Sequence, residues 1–226
     1  MLRVVLCELE GVLADTAALR RHALRDAFAA EGIAVGDALL PASDGMPVAA
    51  AVRDRATRAG QRALDETSLD LLTMRAERAF ADSLAGGISL TPGALPFVER
   101  AAAGTRLAIV TRARRREAEF ILRLAGLEGA FEWVLAQEDA PRPKPDPDAY
   151  LRALARLARR SPSLSRRDML TLEDGQTGAT AAGGAGLHCT LIGEHAAAAP
   201  EGSAWVASLA GHSPATLAAL AALAEA

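Results

Sequence analysis

Short apolar runs recur along the chain at RVVLC (3–7), RLAIV (106–110), WVL (133–135), MLTLE (169–173), HCTLI (188–192) and, more faintly, AWVASL (204–209). Their length and aliphatic content predict buried strands. Between most of them the apolar positions fall at helical spacing, over 92–103, 114–125, 147–160 and 177–184. Strand and helix in alternation predict a Rossmann-like α/β core, a parallel sheet with helices on both faces. Ligands of such sheets bind beyond the carboxyl ends of the strands. Glu8, Thr111 and the pair Glu173 and Asp174 fall there.

The alternation breaks between residues 15 and 88. There ALRRHALRDAFAAEG, PVAAAVRDRATRAG and ETSLDLLTMRAERAFADSLAGG follow one another at helical spacing with no convincing strand among them. A parallel crossover needs only about a dozen residues, so this stretch is predicted to be an inserted α-helical domain over 15–88. The core domain is then 1–14 with 89–226. Gly11 on one side and Gly86, Gly87, Pro92 and Gly93 on the other break the chain at its edges.

Composition narrows the class. Half of the 226 residues are hydrophobic and 23% are charged, which excludes a disordered chain. The net charge of −3 and the 4% of aromatics predict neither nucleic acid nor membrane as partner. The N-terminal apolar run is cut short by Glu8 and Glu10, unlike the centre of a signal peptide, and TLAALAALAEA at the other end is too short to span a bilayer. Cys7 and Cys189 lie in apolar runs and read as buried reduced thiols. A cytoplasmic protein is expected.

The candidate chemistry begins in ELEG (8–11). Alternation along a strand puts Glu8 and Glu10 on one side, and two carboxylates at the mouth of a core are costly without a cation between them. Three further motifs follow at strand ends or in the loops after them: VTR (110–112), PRPKPDPD (141–148) and LEDGQTG (172–178). Oxygen donors with no His or Cys cluster, the histidines at 22, 188, 195 and 212 being scattered, favour Mg²⁺ over zinc. Lys144 is held between Pro143 and Pro145, a rigid mount for a point charge. Thr111 before a helix start suits a phosphate oxygen. Arg112 is a candidate for the same anion, while Arg114, Arg115 and Arg116 read as a solvated face. Asp146 and Asp148 read as caps of the helix that follows. Taken singly, each motif also has a plain structural reading: acids capping helices, a solvated loop lysine, a helix-capping threonine.

As an ordered set, ELEGVLADT, a helical insertion, TPG, VTR, KPDPDAY and LEDGQTGATAAGGAG resemble the haloacid dehalogenase superfamily. The likeness is to its helical-cap phosphatases and phosphomutases, such as phosphoglycolate phosphatase and β-phosphoglucomutase. The resemblance implies a small phosphorylated metabolite as substrate and Mg²⁺ as cofactor, with residues 15–88 as the cap. Carried over by position, Glu8 is nucleophile and metal ligand, and Glu10 is acid/base and metal ligand through its backbone carbonyl. Thr111 holds a phosphate oxygen, Lys144 neutralises charge at the acyl phosphate, and Glu173 and Asp174 complete the metal set.

The first motif of that family is Asp-x-Asp-Gly, and here both aspartates are glutamates. Each extra methylene carries a carboxylate about 1.5 Å outward, against reacting distances of about 3–3.5 Å, so an activity reduced or lost is expected. The alternative expectation is a phosphate-binding or regulatory homologue without turnover. A phosphomutase ranks lower, because Arg20 occupies a substrate-facing cap position where many relatives carry histidine. The metal-free dehalogenases fit least, since they leave Glu173 and Asp174 without use.

Overall fold

Val4–Cys7 form β1, every residue of it buried. The strand lies between β4 (Arg106–Val110) and β6 (Met169–Glu173) and runs parallel to both. Val4 is in register with Arg106 and Met169, and Cys7 with Ile109 and Leu172. A strand covered on both faces reads as an unbroken apolar run, which is why VVLC shows no alternation. The sheet continues outward through β5 (Val134–Leu135) on one side and through β7 (Cys189–Ile192) and β8 (Ala204–Val206) on the other. Its order is β5-β4-β1-β6-β7-β8, parallel throughout. The computed structural model describes residues 2–36, 46–60, 64–193 and 204–224. His195 lies outside them, as do residues 37–45 and 61–63 of the predicted helical insertion.

Five helices belong with this sheet: α4 (Ala94–Ala102), α5 (Arg115–Leu124), α6 (Asp148–Arg160), α7 (Gln176–Gly184) and α8 (Pro214–Ala224). The first four match the predicted helical stretches to within two residues. α6 shows how the pattern becomes packing. Tyr150, Ala153 and Leu157 recur at i, i+3 and i+7 spacing and, with Ala149 beside them, are buried against Val4, Leu6, Ala108 and Val110 of the sheet. Burying a leucine such as Leu157 contributes about 1.5–3 kcal/mol.

The chain divides into two compact units, Met1–Asp15 with Ser89–Ala226, and Thr16–Ile88. The second unit holds α1 (Ala17–Ala29), α2 (Val48–Arg58) and α3 (Glu66–Leu84). In α3, Leu69, Leu72, Ala76, Phe80 and Leu84 form the buried stripe. The first three pack with Leu24, Ala27 and Phe28 of α1 and with Ala51, Val52 and Ala56 of α2. The Asp65 side chain caps α3, accepting from the Ser68 N–H at 2.8 Å.

Two features differ from the sequence expectation. Where the first unit is interrupted, β2 (Ala14–Asp15) pairs antiparallel with β3 (Ser89–Leu90). Two-residue strands are too short to show alternation, so the pattern passes over them. Further, β1 ends at Cys7 and both glutamates lie beyond it. Strand alternation therefore does not govern Glu8 and Glu10, and Glu10 instead forms an isolated bridge with Ala14. Among the described residues no helix is long and apolar enough to cross a membrane.

Candidate active site

The chain runs outward from β1 to β4 and β5, then returns across the sheet to β6 and continues to β7 and β8. Direction reverses between β1 and β6, and the crevice beyond the carboxyl ends of the strands at such a reversal is the ligand position of an open parallel sheet. Glu8, one residue past β1, donates its N–H to the Leu172 carbonyl of β6 at 2.9 Å. Glu173 is the last residue of β6. The strand order thus brings two glutamates, distant in sequence, to the same place.

Lys144 joins them. Its ammonium donates to Glu8 Oε2 at 2.8 Å, to Glu173 Oε1 at 2.6 Å and to the Val110 carbonyl at the end of β4 at 2.9 Å. Those three acceptors use every proton an ammonium carries. The lysine side chain is 1% exposed, and the two glutamates are 4% and 1% exposed. Its mount is the Pro143–Pro145 turn, with a cis Lys144–Pro145 peptide. Burial opposes the ammonium charge, but Glu173 and Glu8 outweigh it and hold the Lys144 pKa above its ordinary value.

The two carboxylates are fixed differently. Glu8 turns its other oxygen, Oε1, back to accept the N–H of Leu9 at 2.8 Å. Glu173 Oε1 accepts a second hydrogen bond, from the Tyr150 hydroxyl. Glu173 Oε2 lies over Gly178 in α7, where an added Cβ would fall 2.0 Å from it. Burial raises the Glu173 pKa, Lys144 opposes that rise, and Glu8 adds to it. Burial pushes the Tyr150 hydroxyl and the Cys7 thiol well up, helped in both by Glu173, so neither carries charge near neutrality.

Asp174 follows, half-buried. Burial and then the charges of Glu173 and Glu8 push its pKa up to about 7, against weaker opposing pulls from Arg112 and Lys144. It packs over Gly11, whose φ of +76° favours glycine and where a Cβ would meet Asp174 Cβ at 2.6 Å. The glycine of ELEG therefore serves the aspartate of LEDG.

The sign of the Asp174 contribution to stability follows from that direction. Below about pH 4 the carboxyl is protonated in both folded and unfolded chains and costs nothing. Between about pH 4 and 7 the unfolded chain ionises first and a penalty grows, becoming complete above about 7. Asp174→Asn is expected to stabilise the metal-free protein by roughly 2 kcal/mol at about pH 8, discounting the full value of about 1.4 kcal/mol per pKa unit for partial exposure. The gain should vanish at about pH 4. Thermal unfolding in chelator at the two pH values checks this, and equal shifts at both would refute it.

The other candidates are placed as follows. Thr111, one residue past β4, is buried, and its Oγ1 accepts the Ala113 N–H at 3.2 Å. Arg112 next to it is half-buried, close enough to Asp174 to be felt by its carboxyl. Glu10 is half-buried at its bridge to Ala14. Arg20 belongs to the helical unit, on α1, with its guanidinium 3.6 Å from the Phe80 ring centroid. Asp146 caps α6 by accepting the Asp148 N–H at 2.9 Å, while Asp148 pairs with Arg142 and Arg152. Arg115 departs from the solvated face predicted for it. Its N–H, at the start of α5, donates to Glu138 at 3.0 Å, and its guanidinium pairs with Asp139. These acids after β5 supply the negative charge that a basic helix start needs. Tyr150 was not legible as part of the site, because an aromatic at a core spacing of α6 reads as packing.

Among the described residues no three His, Cys, Asp or Glu side chains converge as a metal-binding group. Mg²⁺ does not require such a cage, since it keeps several waters and takes one or two carboxylates. Asp174 fits that demand as a half-buried carboxylate amid the negative charge of Glu173 and Glu8, its pKa raised by burial first and by those two charges after it. Glu173 fits it less, with Oε1 shared by Lys144 and Tyr150.

The chain belongs to the haloacid dehalogenase-like hydrolase family, whose sequence model matches residues 2–186. It is 30% identical over 200 residues to protein CbbY of Rhodobacter capsulatus, covering 84% of this chain and 85% of that protein. A solved structure of CbbY from Rhodobacter sphaeroides, a mutant in complex with xylulose-(1,5)bisphosphate, aligns with a TM-score of 0.73 at 27% identity over 96% of this chain and 99% of that one. β-Phosphoglucomutase from Clostridium difficile shares the fold, with a TM-score of 0.83 over 99% of this chain and 98% of that one at 14% identity.

Proposed function

We propose that the protein is a slow Mg²⁺-dependent phosphatase of a small sugar phosphate. The observation that carries this reading is the buried bridge from Glu8 through Lys144 to Glu173 at the reversal point of the sheet. The relation to CbbY, one of whose structures holds a sugar bisphosphate, supports the substrate class. In this reading a Glu8 oxygen attacks phosphorus, forming an O–P bond as the sugar oxygen leaves. Glu10 protonates that oxygen, then takes a proton from the water that cleaves the glutamyl phosphate and frees Glu8. Thr111 and the N–H groups after it hold a phosphate oxygen. Asp174 and Glu8 would hold Mg²⁺, with the Glu10 backbone carbonyl beside them, and the metal supplies neutralisation of charge on the phosphoryl oxygens.

A second reading, a phosphate-binding protein without turnover, is favoured by one observation. Both Glu8 oxygens already accept a hydrogen bond, from the Leu9 N–H and from Lys144, which leaves each only its remaining lone pair and makes either a weaker nucleophile. Phosphate release from a sugar phosphate panel, wild type against Glu8→Gln with and without Mg²⁺, separates the two. Release above the Glu8→Gln level establishes the phosphatase. No release, with calorimetric binding of inorganic phosphate, establishes the binding protein.

A further inference from the structure

We propose that Tyr150 is a positioning residue for Glu8, acting through Glu173 and Lys144. The inference rests on the reading of Glu8 as the nucleophile, but its structural part is measurable without turnover. All protons of the Lys144 ammonium are placed, on Glu8, Glu173 and Val110. Its position therefore depends on where those acceptors lie. The Val110 carbonyl is fixed by the sheet. Glu173 is a side chain and needs fixing of its own.

Besides Lys144, one hydrogen bond and one gap in the packing set its place. Tyr150, fully buried in the first turn of α6, donates to the same Oε1 that Lys144 bonds. Gly178 leaves room for the opposite oxygen. Lys144 and Tyr150 come from one short stretch, KPDPDAY, whose backbone is pinned where Asp146 accepts the Asp148 N–H. The Tyr150 ring also lies beside the ammonium, 5.1 Å from its centroid. Tyr150 thus meets Lys144 with its ring and Glu173 with its hydroxyl. Without the hydroxyl, Glu173 Oε1 keeps one hydrogen bond instead of two and is free to turn about its last torsion. Lys144 follows it, and Glu8 follows Lys144. Since a misplacement of about 1 Å in a reacting group costs on the order of 100-fold in rate, a small drift at the end of this chain is visible in turnover.

Tyr150→Phe keeps the ring and removes the hydroxyl. In full-length protein labelled with ¹³C at glutamate carboxyls and held at one pH, the Glu8 resonance, assigned by its loss in Glu8→Gln, is expected to move, although the Tyr150 hydroxyl bonds to Glu173 and not to Glu8. In the turnover assay kcat is expected to fall about tenfold or more with KM changed less than about twofold, the signature of misplaced reacting groups rather than lost binding. A Glu8 resonance that stays in place while the melting temperature falls would overturn the proposal and leave Tyr150 a packing residue. A wild type that releases no phosphate would instead refute the phosphatase reading and leave the resonance test of Tyr150 standing.

Discussion

Lys144→Met is expected to destabilise the protein by about 3–5 kcal/mol, the cost of breaking a buried ion pair from one side. Methionine fills nearly the same space, so packing is largely kept and the charge is what changes. Glu8 and Glu173 would then face each other with their shared cation gone and each at most 4% exposed. Val110 would lose a donor to its carbonyl at the end of β4 as well. For a chain of this length each kcal/mol moves the melting temperature by about 2–4 °C, so a fall of roughly 6–20 °C should be seen. The loss should shrink as pH is lowered toward the carboxyl range, where Glu173, whose pKa burial already raises, can take up a proton instead of a cation. Lys144→Arg should not restore stability, because a planar fork cannot send single donors to three acceptors arranged around one nitrogen. A melting temperature within a few degrees of wild type at neutral pH would mean that the bridge contributes little.

The second expectation concerns activity. Returning both glutamates to aspartate, Glu8→Asp with Glu10→Asp, is expected to raise phosphate release by on the order of 100-fold, the scale on which a misplacement of about 1 Å acts. With Glu8 as the nucleophile proposed above, that residue carries most of this effect, because its oxygens would have to meet phosphorus while also serving Lys144. In the present structure Oε1 doubles back to the Leu9 N–H, a geometry that the longer side chain permits. A shorter carboxylate that could not make that turn would leave an oxygen facing the crevice. Single and double variants run beside wild type, each with its own Mg²⁺ titration, measure this. If wild type is already fast and the double variant gains nothing, the local backbone has accommodated glutamate, and ELEG is a working form of the catalytic motif.

The main architecture could be read from the sequence because its signals are long and redundant. Runs such as RLAIV and MLTLE are buried on both faces, and α6 repeats its apolar stripe over three turns. The residues of the site could be singled out as well, since Glu8, Lys144 and Glu173 sit at strand ends or on a proline-clamped loop. Their connectivity could not. Which glutamate oxygen meets Lys144, or that Tyr150 shares an acceptor with it, depends on side-chain rotamers and on strand order, neither of which leaves a trace in spacing. The β2–β3 pairing was hidden by brevity. The pairing of Arg115 with Glu138 and Asp139 was hidden because it joins a helix start to the loop after a neighbouring strand.

The bare backbone of α7 under Glu173 makes two positions one heritable choice. A methyl at 178 would overlap Glu173 Oε2, at 2.0 Å, and would be harmful for as long as glutamate stands at 173. An aspartate at 173 would put a carboxylate oxygen near the present Cδ, itself 2.1 Å from that methyl, and would clear it only by turning aside. Alanine at 178 and aspartate at 173 should therefore be strongly coupled in a double-mutant cycle. A lineage drifting one step at a time would find that route closed, and a library that randomises only one of the two positions would return the resident residue.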